Sequence, residues 1–412
     1  MTDKIVLAYS GGLDTSVAIR WLADRYNAEI VTLTVDVGGE IDLEEVRRRA
    51  LGTGAVQAEV LNAREDFVNY FVWPALQAGA IYEGKYPLAT ALARPLMAKL
   101  LVDVAVETGA YAVAHGCTGK GNDQVRFDVS VGALAPGLEI IAPAREWGMT
   151  REQEIDYARE HGIPVPLTKA NPYSIDENLW GRSIETGVLE DPWVEPPEDV
   201  YQWTVSSSNA PDEPEYHEID FETGIPVRLD GREMGGVELI DVLNKAAGAH
   251  GVGRIDHVEN RLVGIKSREI YEAPAGIVLT TAHRALEDMT LSKDQARFKD
   301  KVAQEYADLI YNGQWFTALH QDLASYVQST QRHVTGTIRV RLHKGQCTVV
   351  GRKAPQALYQ FELATYDRGD TFDQSASKGF IDIWGLPVRT QARIQLLEQP
   401  GGPLSITGPA SD

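Results

Sequence analysis

The stretch Ile5-Val6-Leu7-Ala8-Tyr9-Ser10-Gly11-Gly12-Leu13-Asp14-Thr15-Ser16 decides how the chain is read. An apolar run enters a glycine pair, and Val17 to Leu22 continue with the spacing of an amphipathic helix. Strand, glycine turn and helix place several backbone N–H groups and a positive helix end around one small concavity, which suits a phosphate. Gly11 and Gly12 remove the Cβ atoms that would hold an anion away from the backbone, and Ser10, Thr15 and Ser16 add hydroxyl donors.

The loop is not one of the common nucleotide fingerprints. A Walker loop needs a lysine after its glycines, and a dinucleotide fold needs three spaced glycines; neither is present. An ordinary tight turn accounts for the glycines alone. Strand, turn, hydroxyls and Asp14 together favour a phosphate loop, and the string resembles the S-G-G-x-D-S loop of ATP pyrophosphatases. That group cleaves ATP between the α and β phosphates.

Outward from this loop, strands and helices alternate. Strands are expected at Ile30–Val35, Ala55–Leu61 and Ala112–His115, and helices at Asp42–Ala50, Phe67–Ala78, Leu96–Glu107 and Arg151–His161. The pattern predicts a doubly wound parallel sheet that binds its ligand at the carboxyl ends of the strands. The loops after Leu7, Val35 and His115 should therefore converge, each with glycine at the bend: Gly11 and Gly12, Gly38 and Gly39, Gly116.

The third of these loops, Gly116-Cys117-Thr118-Gly119-Lys120-Gly121-Asn122-Asp123-Gln124-Val125-Arg126-Phe127, is the second informative motif. Asn122 or Asp123 can cap the helix that carries Arg126, and Asp123 and Arg126 share a helical face. A capped helix with an internal ion pair is one reading. The other is a site for an amino acid, whose ammonium and carboxylate need the acceptors, donors and charges of Thr118, Asn122, Asp123 and Arg126. Beyond Arg151–His161 a polar stretch (Tyr173–Glu190) and an acidic, proline-rich surface excursion (Pro192–Pro214) lead to a hairpin over Glu215–Leu229. A helix at Val237–Ala247 follows, then the charged stretch Asp256–Ala275, whose density reads as a solvated hairpin. Helices at Gly276–Met289, Asp294–Tyr311 and Thr317–Ser329, a hairpin over Val334–Arg352 and a short-helix tail from Phe372 complete the reading.

The two loops together, with Tyr86-Pro87-Leu88, Ala93-Arg94-Pro95, Asn178-Leu179-Trp180-Gly181-Arg182-Ser183, Arg254 to Arg261 and Trp384-Gly385-Leu386-Pro387, resemble the argininosuccinate synthase family over nearly the whole chain. The resemblance implies an ATP-dependent carbon–nitrogen ligase joining citrulline and aspartate through citrullyl-AMP, with AMP and pyrophosphate released. It implies ATP contacts at Ala8, Tyr9, Ser10, Gly11, Gly12, Leu13, Asp14, Thr15, Ser16, Val35 and Gly116, with Lys120 a further candidate for phosphate. Aspartate falls to Thr118, Asn122 and Asp123, and citrulline to Tyr86, Asn122, Arg126, Ser174, Ser183, Glu259 and Tyr271. The implied architecture is an α/β nucleotide-binding domain over 1–165, an α+β synthetase domain over 166–365, and a C-terminal oligomerisation extension over 366–412 that reaches across a homotetramer. Two positions depart from the family pattern: Ala91 where some members have serine, and Gly39 where glutamine is common.

Composition sets the bounds. The chain has 412 residues, 43% of them hydrophobic and 24% charged, as in a soluble globular protein. A net charge of −20 argues against nucleic acid as partner. No apolar run approaches the roughly 20 residues of a membrane span, and the start shows no signal peptide, so a cytoplasmic protein is expected. Two cysteines, Cys117 and Cys347, are too few for a disulfide scaffold. Nine histidines show no metal-ligand spacing, so the expectation is no protein-held metal, with Mg2+ arriving on ATP.

Overall fold

The structure, a computed structural model, describes residues 3–39, 41–164 and 172–396. The first sheet is made of β1 (Lys4–Ala8), β2 (Glu29–Asp36), β3 (Gln57–Asn62), β4 (Ala112–His115) and β5 (Glu139–Ile141). All pair in parallel, in the order β3-β2-β1-β4-β5. The pleat of β1 sends Ile5 and Leu7 to one face, where they meet Ile19 and Leu22 of the Leu13–Tyr26 helix and Val46 and Ala50 of the Leu43–Thr53 helix. Val6 points to the other face, against Leu101 of the Ala89–Thr108 helix and Phe127 of the Asp123–Leu134 helix. Cover on both faces explains why these strands read as continuous apolar runs. Between β1 and β4 the strand order reverses, and the crevice at their carboxyl ends receives the two glycine loops.

Two helices differ from the expected spans. Phe67–Ala78 is the end of a longer run, Arg64–Phe67, a π turn at Val68–Val72, and Trp73–Ala78. The helix expected to begin at Leu96 begins at Ala89 and carries Pro95 inside it. Proline in a helix interior costs about 3 kcal/mol; burial of Pro95 and its neighbours offsets that cost.

The described residues beyond 172 add β6 (Ser174–Asn178), β7 (Gly181–Glu185), β8 (Glu215–Glu222), β9 (Ile225–Leu229), β10 (Arg232–Glu233), β11 (Arg254–Asn260), β12 (Lys266–Glu272), β13 (Gly336–His343) and β14 (Gln346–Lys353). They form two antiparallel sheets, β10-β9-β8-β13-β14 and β11-β12-β7-β6. The polar stretch at 173–190 is thus a β-hairpin whose turn is pinned to the first sheet's surroundings. Trp180 Nε1 donates to the Pro87 carbonyl at 2.9 Å, Asn178 Nδ2 to that of Ala89 at 2.8 Å, and Leu179 N to that of Val37 at 3.0 Å.

The β11–β12 hairpin is solvated on one face only, where Asp256, Asn260 and Lys266 are exposed. Glu259, Glu269 and Glu272 are 2%, 5% and 0% exposed. Glu272 is saturated by Arg182 at 3.0 Å, by the N–H groups of Gln202, Trp203 and Thr204, and by the Thr204 hydroxyl at 2.7 Å. The excursion at 192–214 therefore turns inward at 202–204 rather than staying on the surface, because a buried carboxylate needs those donors.

Backbone contacts divide the chain between Leu358 and Tyr359. The boundary expected at 165–166 lies outside the described residues. The second unit, taken by itself, holds the short helices Phe361–Ala364, Ala376–Trp384 and Leu386–Gln391 and a π turn at Ala392–Leu396. Its Phe380, Ile381, Ile383 and Trp384 are all exposed. Among the described residues no helix is long and apolar enough to cross a membrane.

Candidate active site

Three neighbouring cavities open at the carboxyl ends of β1 and β4, and Ser10 and Gly116 line all three. The first, about 310 Å³, is walled by Gly12, Leu13, Asp14, Thr15 and Arg151. Gly12 is the N-cap of the Leu13–Tyr26 helix and supplies no capping side chain, so the amides of the first turn keep their donors. The two glycines have different work. Gly11 sits at φ +80°, and a Cβ there would stand 3.0 Å from Val46 Cγ2. Gly12 is extended, with only Ser10 Oγ near its missing Cβ, at 3.4 Å. Arg49 grips the loop from behind, donating to the Gly11 carbonyl at 2.6 Å, and Ser16 is buried under Tyr9, whose hydroxyl it meets at 3.0 Å. Ser10 and Thr15 hydroxyls pair at 3.0 Å.

The second cavity, about 210 Å³, is mostly apolar: Ala8, Leu33, Val35, Val37, Ile41, Met97 and Phe127, with Tyr9 and Thr34. Its size and walls suit a purine ring. The loop after β2 closes it. Gly38, at φ +97°, approaches Leu179 so closely that a Cβ would lie 2.7 Å from its backbone nitrogen. Gly39, the family departure, sits at φ +108°, where glycine relieves strain that glutamine would carry. His115, at the end of β4, lines this cavity and is held at both ring nitrogens: Nδ1 accepts from Cys117 N at 3.2 Å and Nε2 meets Asp128 at 2.8 Å.

The third cavity, about 450 Å³, is polar and collects every residue expected to hold an amino acid: Thr118, Asn122 and Asp123, and with them Tyr86, Arg126, Ser174, Ser183, Glu259 and Tyr271. They reach it from six segments: the loop at Tyr86, the stretch Thr118 to Arg126, and the strands β6, β7, β11 and β12. The sheet order sets Ser183 between Asp176 and Tyr271 in register. Tyr86 stacks on Tyr271, centroids 4.0 Å apart, and its hydroxyl meets Thr90 Oγ1 at 2.8 Å. Ala91, the other departure, is fully buried in the helix behind it.

Asp123 accepts from Arg94 Nη2 and Arg126 Nη1, each at 2.8 Å. Burial works to raise the Asp123 carboxyl, but the two guanidiniums outweigh it and hold it at about 2. The internal ion pair read from the sequence is therefore present, inside the cavity wall. The cap is not: Asn122 starts the helix without a side-chain cap bond, its amide committed instead to Tyr311 and to Leu262 N. Burial and the neighbouring Asp123 push the Cys117 thiol up to about 12, which leaves it protonated and unreactive. Lys120 is exposed and lines none of the three cavities.

Sequence reading gave no role to Arg94, Asp176 or Tyr311. Arg94 lines both the apolar and the polar cavity and pairs with Asp176 as well as Asp123. It stands within one of the quoted stretches, so its buried charge was findable; Asp176 and Tyr311 carry no local signal. Among the described residues no group of three or more His, Cys, Asp or Glu is placed to hold a metal ion.

The family models and the curated relatives agree on one family. The model of the arginosuccinate synthase N-terminal HUP domain matches residues 4–164, and that of the arginosuccinate synthase C-terminal domain matches residues 173–391. Argininosuccinate synthase of Dehalococcoides mccartyi is 58% identical over 403 residues, covering 98% of this chain and 99% of the relative. That of Symbiobacterium thermophilum is 60% identical over 393 residues, covering 95% and 98%. Among solved structures, the U34-tRNA thiolase NcsA of Methanococcus maripaludis covers 41% of this chain and 59% of its own, at 12% identity and a TM-score of 0.25.

Proposed function

Because the chain belongs to the argininosuccinate synthase family, we propose that its three cavities divide one reaction among them. That reaction is the ATP-dependent ligation of citrulline and aspartate through citrullyl-AMP, giving argininosuccinate, AMP and pyrophosphate. The apolar cavity takes adenosine, with backbone near Val35 and Gly116. The glycine-loop cavity takes the β and γ phosphates on Gly12 to Thr15, with Mg2+ arriving on ATP, coordinated by phosphate and water. The polar cavity takes both amino acids. The observation that carries this reading is the shared wall: Ser10 and Gly116 line all three spaces, so an α-phosphate there faces the polar cavity.

The chemistry follows from the problem it solves. A ureido carbon is a poor electrophile whose oxygen does not leave. That oxygen attacks the α-phosphorus and pyrophosphate departs, which needs alignment and charge neutralisation more than covalent help. The aspartate amine then attacks the carbon, and AMP leaves with the former ureido oxygen. Thr118, Asn122 and Asp123 hold aspartate; Tyr86, Asn122, Arg126, Ser174, Ser183, Glu259 and Tyr271 hold citrulline. Asn122 touches both and brings amine and carbon into reach. Asp123, held ionised, is a fixed acceptor for an ammonium. Arg126 spends Nη1 on Asp123 and Nε on the Tyr311 carbonyl, which leaves Nη2 for a substrate carboxylate.

Residues 1–165 then handle the nucleotide, 166–365 close the amino-acid cavity, and 366–412 serve assembly. The exposed Phe380, Ile381, Ile383 and Trp384 support a homotetramer in which further copies of the chain cover them. A cytoplasmic setting fits a biosynthetic ATP-consuming enzyme with two free cysteines. The test is pyrophosphate release with citrulline and aspartate supplied singly and together. Continuous turnover to equal AMP and pyrophosphate only with both is the expected result, citrulline alone releasing at most one pyrophosphate per site; turnover without citrulline, or ADP among the products, would contradict the reading.

A further inference from the structure

Glu259 is the carboxylate on which the polar cavity closes, and each of its oxygens is taken by a phenol. Tyr271 donates to Oε2 at 2.6 Å and Tyr311 donates to Oε1 at 2.5 Å. Tyr271 lines the cavity. Tyr311, the last residue of the Lys293–Tyr311 helix, is 1% exposed and does not.

Tyr311 nevertheless touches three residues that do. Its hydroxyl accepts from Asn122 Nδ2 at 2.8 Å, and its carbonyl accepts from Arg126 Nε at 2.9 Å. The Arg126 guanidinium stands 4.8 Å from its ring centroid. A phenol has one proton to give. Spent on Glu259, that proton fixes the direction of the relay, so the Asn122 amide must donate to Tyr311 and turn its oxygen toward Leu262 N, at 2.9 Å. The ring itself is held from behind by Tyr82, stacked at 3.6 Å and 6°. Two residues on, Gly313 (φ +73°) passes so close that a Cβ would lie 2.7 Å from Arg126 Cα, which sets the helix end against Arg126.

We propose that Tyr311 is a positioning residue for the citrulline end of the reaction, acting through Glu259, Asn122 and Arg126 without touching substrate. A residue that merely filled the core would need neither the hydroxyl nor its fixed direction. Burial and the adjacent Glu259 push the phenol far up, so it stays a donor at any working pH. The inference rests on the assignment of the polar cavity to citrulline made above.

The test is Tyr311→Phe in the full chain, which keeps the ring, the stack and the carbonyl and removes one hydroxyl. Hydrogen bonds to charged groups are strong enough that the citrulline KM should rise roughly tenfold or more. The ATP KM should stay within about twofold, and the melting temperature should fall by only a few degrees. An unchanged citrulline KM, or equal losses for all three substrates tracking the melting temperature, overturns the proposal. Glu259→Gln, read in the same assay, separates the two levels. If it leaves the citrulline KM unchanged, the cavity assignment fails and the proposal with it. If it raises that KM while Tyr311→Phe does not, only the role of Tyr311 fails. In the double variant the two effects on the citrulline KM should combine to clearly less than their product, with the excess over Glu259→Gln alone carried by the lost bond to Asn122, and full multiplication of the two effects refutes action through Glu259. Should Tyr311→Phe not accumulate folded, Tyr82→Leu removes the stack and must raise the citrulline KM selectively; a rise shared by ATP counts against the proposal.

Discussion

The end of the site proposed for the nucleotide and the end proposed for the amino acids are built from different materials. The cavity proposed for phosphate is mostly one stretch of sequence, Ser10 to Thr15, joined by Gly116 and Arg151; its centre is backbone, Gly12 and the first turn of one helix, with Gly11 bent at φ +80° to aim them. The cavity proposed for the amino acids is made of side chains from six segments, several of them buried charges such as Arg126 and Glu259, at 4% and 2% exposure. Backbone donors are fixed once the loop folds. Buried charges are fixed only by other side chains: Asp123 by Arg94 and Arg126, Glu259 by Tyr271 and Tyr311. The first end should therefore fail through conformation and the second through lost partners.

The largest expected effect is at the second end. Truncating one partner of a buried, hydrogen-bonded charge pair in a binding site costs about 2–5 kcal/mol of binding, so Asp123→Ala, which removes the acceptor proposed for the aspartate ammonium, should lower kcat/KM for aspartate by roughly several hundredfold while the ATP KM hardly moves. Equal losses for both substrates would erase the distinction between the ends. Next, Gly12→Val should fold normally, since Gly12 is extended with room beside it. Its side chain obstructs the phosphate cavity, and a displacement of about 1 Å at a reacting group costs about a hundredfold. A variant that binds ATP normally would remove the phosphates from this loop.

Gly11→Ala sharpens the contrast within the loop. Its strain, about 1–3 kcal/mol, should appear as a lower melting temperature and roughly a tenfold rise in ATP KM, with citrulline and aspartate unaffected. The smallest effect concerns pH. Glu154, packed beside Asp14 of the loop, has its carboxyl pushed up to about 8 by burial and by Asp14. A folded-state value above the unfolded one means the folded chain holds the proton more tightly, so stability is full below the ordinary carboxylate range and declines as pH rises toward 8. Glu154→Gln should flatten that decline in melting temperature between pH 5 and 8, and an unchanged slope would place its origin elsewhere.

The same contrast explains what was legible in the sequence. The strand–glycine–helix run of β1 announces itself because its function and its local conformation are one thing, and the apolar strands follow from cover on both faces of the sheet. The second end is legible only where a resemblance supplies it. Glu259 and Glu272 lie on one hairpin and look alike as solvated charge, yet both are buried. Glu272 is saturated by donors from 202–204, whereas Glu259 takes two phenols and faces a cavity. Nothing local distinguishes them, because the donors that set them apart, Tyr311 for Glu259 and 202–204 for Glu272, come from far along the chain. Asp176 and Tyr311 were invisible for the same reason, and the Ala89 helix start was hidden by Pro95, whose cost is offset by tertiary burial.

The account depends on an α-phosphate held at Ser10 and Gly116, facing the oxygen of a ureido group in the adjoining cavity. Turnover of citrulline labelled with 18O at the ureido oxygen, followed by mass spectrometry of the products, tests this most directly. The account predicts that the label appears in the phosphate of AMP and nowhere in pyrophosphate; unlabelled AMP, or label in pyrophosphate, would contradict it.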